Sequence, residues 1–142
     1  MQQDASLSAD TEFEGSGFYA QDVDFRSGVV ALQAPSLLAV VAAMAGFNPP
    51  DSSQAFTYGD LGCGDGTTVN AYASVYPHAR FYGVDFNASH IATARANAER
   101  CGLSNVEFVQ ADFLALAGQD LPVFDFIGMN GIYAWLEEPQ IQ

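Results

Sequence analysis

The eight residues Asp60-Leu61-Gly62-Cys63-Gly64-Asp65-Gly66-Thr67 hold the densest chemistry in the chain. Glycines at alternate positions let a backbone turn tightly and approach a ligand with no side chain in the way, and a helix starting there offers its free N–H groups. Three alternate glycines cost more chain entropy than a bare turn requires, so the loop reads as a binding loop. Asp85 follows at about the 20-residue spacing at which a strand-end carboxylate accepts hydrogen bonds from both hydroxyls of a ribose, which excludes a 2′-phosphate. Asp112, just past a third apolar run, falls on the same rim, where it suits an adenine amino group or the capping of the next turn. Cys63 reads as a small residue tolerated beside a ligand rather than as a nucleophile. His78 and His90 fall in connections or helix starts and read as surface residues rather than bases.

Alternating strands and helices must position these groups. From Pro35, the apolar residues Leu37, Val40, Val41 and Met44 recur at helical spacing until Gly46 and Pro49-Pro50, which predicts an amphipathic helix. A strand over 55–61 leads into the glycine loop, and Val69, Tyr72, Ala73 and Tyr76 mark the face of the helix after it, closed by Pro77. A second strand covers 81–85. Ile91, Ala94, Ala98 and Cys101 mark the next helix, with Asn87 or Ser89 as its cap and Gly102 as its terminator. Strands over 106–109 and 124–129 follow, separated by a weakly helical stretch near 114–117. Nearly continuous apolar strands alternating with helices imply a doubly wound parallel sheet covered on both faces, an α/β architecture of three αβα layers with an N-terminal helical segment. Residues 1–30 read as a tail and candidate lid, and 31–142 as the ligand-binding domain.

A chain of 142 residues supports one compact core. Four basic and 17 acidic residues give a net charge of −13, which repels phosphate backbones and anionic membranes. The expected partners are therefore a small molecule or a basic protein, with no duplex nucleic acid and no membrane. Cys63 and Cys101 cannot form a disulfide framework, and Met1-Gln2-Gln3-Asp4 lacks the positive region of a signal peptide, so a cytoplasmic protein is expected. No His, Cys and carboxylate spacing suggests a metal site.

Asp60 through Gly66, Asp85 and Asp112 resemble the successive cofactor motifs of class I S-adenosylmethionine-dependent methyltransferases, over a stretch from about Pro35 to the C-terminus. The resemblance implies a Rossmann-like fold, S-adenosyl-L-methionine as cofactor, and methyl transfer to a small-molecule or protein acceptor. It implies that Gly62, Gly64 and Gly66 pass close to the methionine portion, that Asp85 takes the ribose, and that Asp112 with Phe113 contacts the adenine. Asp60, Cys63, Phe86 and Asn130 complete the implied cofactor set. Ala45-Gly46-Phe47-Asn48-Pro49-Pro50 and Asn130-Gly131-Ile132-Tyr133-Ala134-Trp135 also resemble a bacterial subgroup that carries a methyltransferase regulatory domain, in which a His commonly stands where Asn130 does.

Methyl transfer from a sulfonium is an in-line displacement with a good leaving group, so it mainly needs the acceptor held at ~3–3.5 Å and aligned. Acceptor contacts are expected outside the carboxyl end of the fourth strand, from Asn130, Tyr133 and Trp135. One rival is an NAD-dependent oxidoreductase, which the Gly-x-Gly-x-Gly spacing disfavours, since the dinucleotide fingerprint would need its third glycine at Thr67. A second is an incomplete or non-catalytic cofactor-binding module, because only four strands are legible where the family has seven. A fourth strand left at the edge, in a chain without lysine, is expected to self-associate or to take a companion chain.

Overall fold

The computed structural model describes residues 27–113 and 115–132. They form a four-stranded parallel sheet in the order β3-β2-β1-β4, with β1 Thr57–Leu61, β2 Arg80–Asp85, β3 Val106–Gln110 and β4 Phe126–Met129. Helices α1 (Pro35–Met44), α2 (Thr67–Val75) and α3 (Ala88–Arg100) accompany it, with a short 3-10 turn at Ala31–Gln33 before α1 and another at Leu116–Gly118 before β4. The α/β reading and the N-terminal helical segment are therefore correct. β1 and β4 each begin two residues later than the apolar runs predict, and Asp125 explains the second delay. Its carboxylate accepts from the backbone amide of Thr57 at 2.8 Å and from the Thr57 hydroxyl at 3.0 Å, so it ties the entry of β4 to that of β1.

Register follows from the parallel pairing: Leu61 stands beside Val84 and Met129, and Val84 beside Val109. All four strands thus end at one level, and every loop that leaves a strand's carboxyl end opens onto the same edge. Tyr58, Phe81, Val69 and Ile91 are fully buried between sheet and helices. Phe56 meets Phe81, Phe126 and Tyr76 edge-on at centroid distances of 5.8, 5.3 and 5.5 Å, a geometry worth about 0.5–1.5 kcal/mol per pair beyond burial. Phe108 on β3 lies over Gly83 of β2 and reaches Gly66 ahead of α2; a Cβ at Gly83 or Gly66 would stand 2.6 Å or 2.9 Å from its ring. The side-chain amide of Asn105 donates to the carbonyls of Ala73, Tyr76 and Ala79 at 3.0–3.1 Å, which ties the end of α2 to the start of β3.

Capping residues set the helix bounds. Asn87 caps α3 by accepting from the Ser89 amide at 2.9 Å, and Gly102 ends it at φ +66°. Helix α1 differs from its expectation. Val40, Val41 and Met44 are exposed at 54, 56 and 85%, while Pro35, Leu38 and Ala39 face the core. The segment Pro35–Met44 is apolar almost all the way round, so its periodicity cannot single out the buried face. No helix among the described residues is long and apolar enough to cross a membrane.

Candidate functional site

At the carboxyl ends of the strands a cleft of about 530 Å³ opens, lined by the glycine loop, by the ends of β2, β3 and β4, by α3 and by residues 27–33. Its size falls within the range of small-molecule sites. Asp60, Gly62, Cys63, Gly64, Asp85, Phe86, Asp112, Phe113 and Asn130, all singled out from the sequence, line it together. Gly66 does not. Its missing side chain makes room for the Ala94 methyl, 2.6 Å from a built Cβ, and for Phe108, so its place is in the packing of α2 on α3 and β3. Tyr133 and Trp135 lie outside the described residues.

The loop is shaped by backbone conformations that suit glycine. Gly62, Gly64 and Gly66 have φ of +76°, +55° and +73°, and a Cβ at Gly64 would meet nothing within 4 Å. Gly64 is thus open on the cleft side. A Cβ at Gly62 would collide with the Ile132 side chain, which lines the cleft from beyond β4. The Asp65 carboxylate accepts from the Thr67 amide at 3.0 Å at the start of α2. Partial burial pushes its pKa up, but hydrogen bonds from Ser27 and Thr67 outweigh that and hold the group below its ordinary range.

Asp85 is 7% exposed and uses both oxygens: Oδ2 accepts from the Gly64 amide and Oδ1 from the Asn87 amide, each at 2.9 Å. His90 Nδ1 stands 3.4 Å from Oδ1. An ionised carboxylate offers about four acceptor positions, so acceptor capacity remains beyond these two backbone bonds. Asp112 accepts from the Ala115 amide at 2.7 Å through Oδ1, which makes it the cap of the following turn as well as a cleft residue. Asp60 forms the floor at 3% exposure, and burial pushes its carboxyl up to about 6, against the opposing donation from Gln33 and with a further push from the charge of Asp85. Burial, reinforced by Asp60 and Asp85, pushes the Cys63 thiol far up, so it stays an inert thiol.

His90 and Gln33 are among the cleft residues that the sequence did not single out. His90, read as peripheral, sits in the first turn of α3 and lines the cleft. Its position five residues after Asp85, on a helix whose amino end faces the strands' carboxyl ends, is the signal that points there. Gln33 donates from Nε2 to Asp60 Oδ1 at 2.9 Å, across 27 positions that no local pattern connects. The segment that carries it is sewn to the domain. The Val30 amide donates to Thr68 Oγ1 at 3.1 Å, Tyr72 donates to the Val30 carbonyl at 2.8 Å, and Tyr58 donates to the Gln33 carbonyl at 3.1 Å.

A family model described as "Methyltransferase domain" matches residues 52–141. An uncharacterized protein of Synechocystis sp. is 41% identical over 118 residues, which are 83% of this chain and 23% of that protein. Trans-aconitate 2-methyltransferase of Paracidovorax citrulli is 39% identical over 77 residues, 54% of this chain and 28% of that enzyme. Among solved structures, PKMT2 from Rickettsia typhi in complex with AdoHcy superposes with a TM-score of 0.75 at 25% identity, covering 82% of this chain and 23% of that one. The chain therefore spans about a quarter of the length of these relatives.

Proposed function

The chain belongs to the methyltransferase-domain family, and from that premise we propose that its cleft holds S-adenosylmethionine and that the protein passes the sulfonium methyl to an acceptor beside Asn130. The observation that carries this reading is the convergence of Asp60, the open Gly64, Asp85 and Asp112 on one cleft at the strands' carboxyl ends. The cofactor, when bound, supplies an electrophilic methyl group with a neutral thioether as leaving group.

The residues fit such a molecule. Asp85 has acceptor capacity for two ribose hydroxyls after its bonds to Gly64 and Asn87, and Asp112 has a second oxygen for an exocyclic amino group. Phe86 and Phe113 give the cleft aromatic surface for a purine. Gly64 lets the backbone approach without a side chain between. PKMT2 of Rickettsia typhi, the structural relative above, binds AdoHcy, which supports the same occupant here.

The acceptor follows from charge. Asp60, Asp65, Asp85 and Asp112 line the cleft, and no Arg or Lys does so among the described residues. With a net charge of −13, the site suits a neutral or cationic acceptor, a small amine or alcohol or a basic protein side chain, better than a polycarboxylate. Asn130, which lines the cleft beyond β4, is the candidate to orient it, and Tyr133 and Trp135 are the next to test. Calorimetric titration with AdoHcy, followed by transfer of labelled methyl from S-adenosylmethionine to an acceptor panel, tests the reading. Saturable AdoHcy binding with no response to NAD supports it, and no binding to the folded protein overturns it. Binding without transfer to any acceptor favours the rival reading of a cofactor-binding module.

A further inference from the structure

We propose that Gln33 is a positioning residue for the cleft: its amide holds the Asp60 carboxyl as an anionic floor that takes the ammonium end of the bound cofactor, so that seating of the 27–33 segment and cofactor affinity form one event. The inference rests on the reading of the cleft given above. Gln33 is 6% exposed, yet lines the cleft, and its Nε2 donates to Asp60 Oδ1 at 2.9 Å. A buried glutamine with this single charged acceptor is there for the acceptor. Burying an amide is unfavourable unless it is paired, and a hydrogen bond to a charged group is stronger than one to a neutral acceptor.

The surroundings otherwise work against the charge on Asp60. Asp85 from β2 repels it, and the Tyr58 hydroxyl of its own strand, the Tyr72 hydroxyl from α2 and the Cys63 thiol of the loop all feel its charge in turn. His90 from α3 and Asp65 from the loop line the same cleft. Gln33 is the one described side chain whose hydrogen bond to Asp60 favours the ionised form. Its own position is secured twice over. Tyr58 donates to its carbonyl at 3.1 Å, and Gly128 on β4 leaves the space it needs, since a Cβ there would stand 2.7 Å from Gln33 Nε2 and against the Tyr58 hydroxyl. A chain of four residues from three elements of the fold thus ends on the cleft floor.

The test reads the Asp60 carboxyl by carbon-13 NMR in the free protein, and AdoHcy and methylthioadenosine affinities across acid to alkaline pH. Methylthioadenosine keeps the adenosine and the sulfur but lacks the ammonium. In Gln33→Leu the proton affinity of Asp60 should rise about tenfold, with AdoHcy binding weakened most at mildly acidic pH and restored at mildly alkaline pH, where the ligand's ammonium still holds its proton, while methylthioadenosine binding stays level. Gln33→Asn, which keeps the amide but shortens its reach, and Gly128→Ala, whose Cβ would stand 2.7 Å from Gln33 Nε2 and so must push that amide or Tyr58 aside, should each fall between. An Asp60 titration that does not change in Gln33→Leu or Gly128→Ala overturns the proposal, as does an affinity loss equal at every pH or equal for both ligands. If the wild-type protein fails to bind AdoHcy, the function proposed above falls, and the Asp60 titration still decides whether Gln33 holds that carboxyl ionised.

Discussion

The Gly64 amide donates to Asp85 Oδ2 at 2.9 Å, so the acid at the end of β2 holds the glycine loop in shape. A single side chain thereby joins the two motifs that carry the binding reading, and any change at Asp85 acts on the loop as well as on a ligand.

Asp85→Ala is therefore expected to weaken AdoHcy binding more than Asp112→Ala, because it removes acceptors for two backbone amides and two hydroxyls, whereas Asp112 serves one backbone amide and at most one ligand amine. A loss of about 2–4 kcal/mol against about 1 kcal/mol is the expected order for charge-assisted hydrogen bonds. Titration calorimetry on both variants checks it, and equal losses would mean that the rim is misassigned.

The buried carboxyl of Asp60 carries a stability signature. Its pKa is pushed up from 3.8 to about 6 in the fold, so the native state binds the proton more tightly than the unfolded chain. The contribution is fully present below the unfolded value and is lost as pH rises through about 6. Holding the charge at neutral pH costs the fold roughly 3 kcal/mol by this linkage. Asp60→Asn is expected to raise Tm at neutral pH, to flatten the Tm profile between mildly acidic and neutral pH, and to weaken AdoHcy binding. A lower Tm at neutral pH with an unchanged profile would contradict it.

The glycines of the loop should separate by role. Gly66→Ala places a Cβ 2.6 Å from Ala94 and 2.9 Å from Phe108 at a φ of +73°, and should cost the fold several degrees of Tm. Gly64→Ala meets nothing within 4 Å, so it should cost only the ~1–2 kcal/mol of the left-handed backbone while obstructing the cleft. Melting curves with and without AdoHcy distinguish them: the ligand should still raise the Tm of Gly66→Ala but not that of Gly64→Ala.

This division marks where the sequence was legible. Strand and helix order, a cap at Asn87 or Ser89 and the Gly102 terminator follow from local patterns within a few residues, Asp85 from a spacing of about 20 residues and Asp112 from its place just past a third apolar run. Gly66 could not be told from Gly64, because both satisfy one spacing and only the packing of α3 separates them. Gln33 and the buried face of α1 were beyond reach for the same reason. One depends on a contact across 27 positions, and the other on which side of an evenly apolar helix meets the sheet.

Leu32, Val40, Val41, Met44, Ile127 and Met129 remain exposed to between 48 and 85% among the described residues, on a protein with a net charge of −13. Repulsion should keep copies apart at low ionic strength and fade as salt shortens the Debye length to roughly 3 Å near 1 M. Light scattering is expected to rise along a salt series, and to rise less for Ile127→Lys or Met44→Glu. A monomer throughout the series would show that these side chains do not drive association.

The Phe108 ring, which occupies the space left by both Gly83 and Gly66, ties three distant positions into one steric unit. Among homologous proteins such a unit should leave a statistical trace: an aromatic ring at 108 should go with glycine at both 66 and 83. Lineages with a smaller residue at 108 should admit alanine or serine at 83, where the backbone is not in the left-handed region and the other close neighbour is the Cys63 sulfur, while glycine persists at 66, where the Ala94 methyl and the left-handed backbone still require it. Selection on the sheet's interior would in that way constrain the cofactor loop's sequence, independently of any ligand it holds.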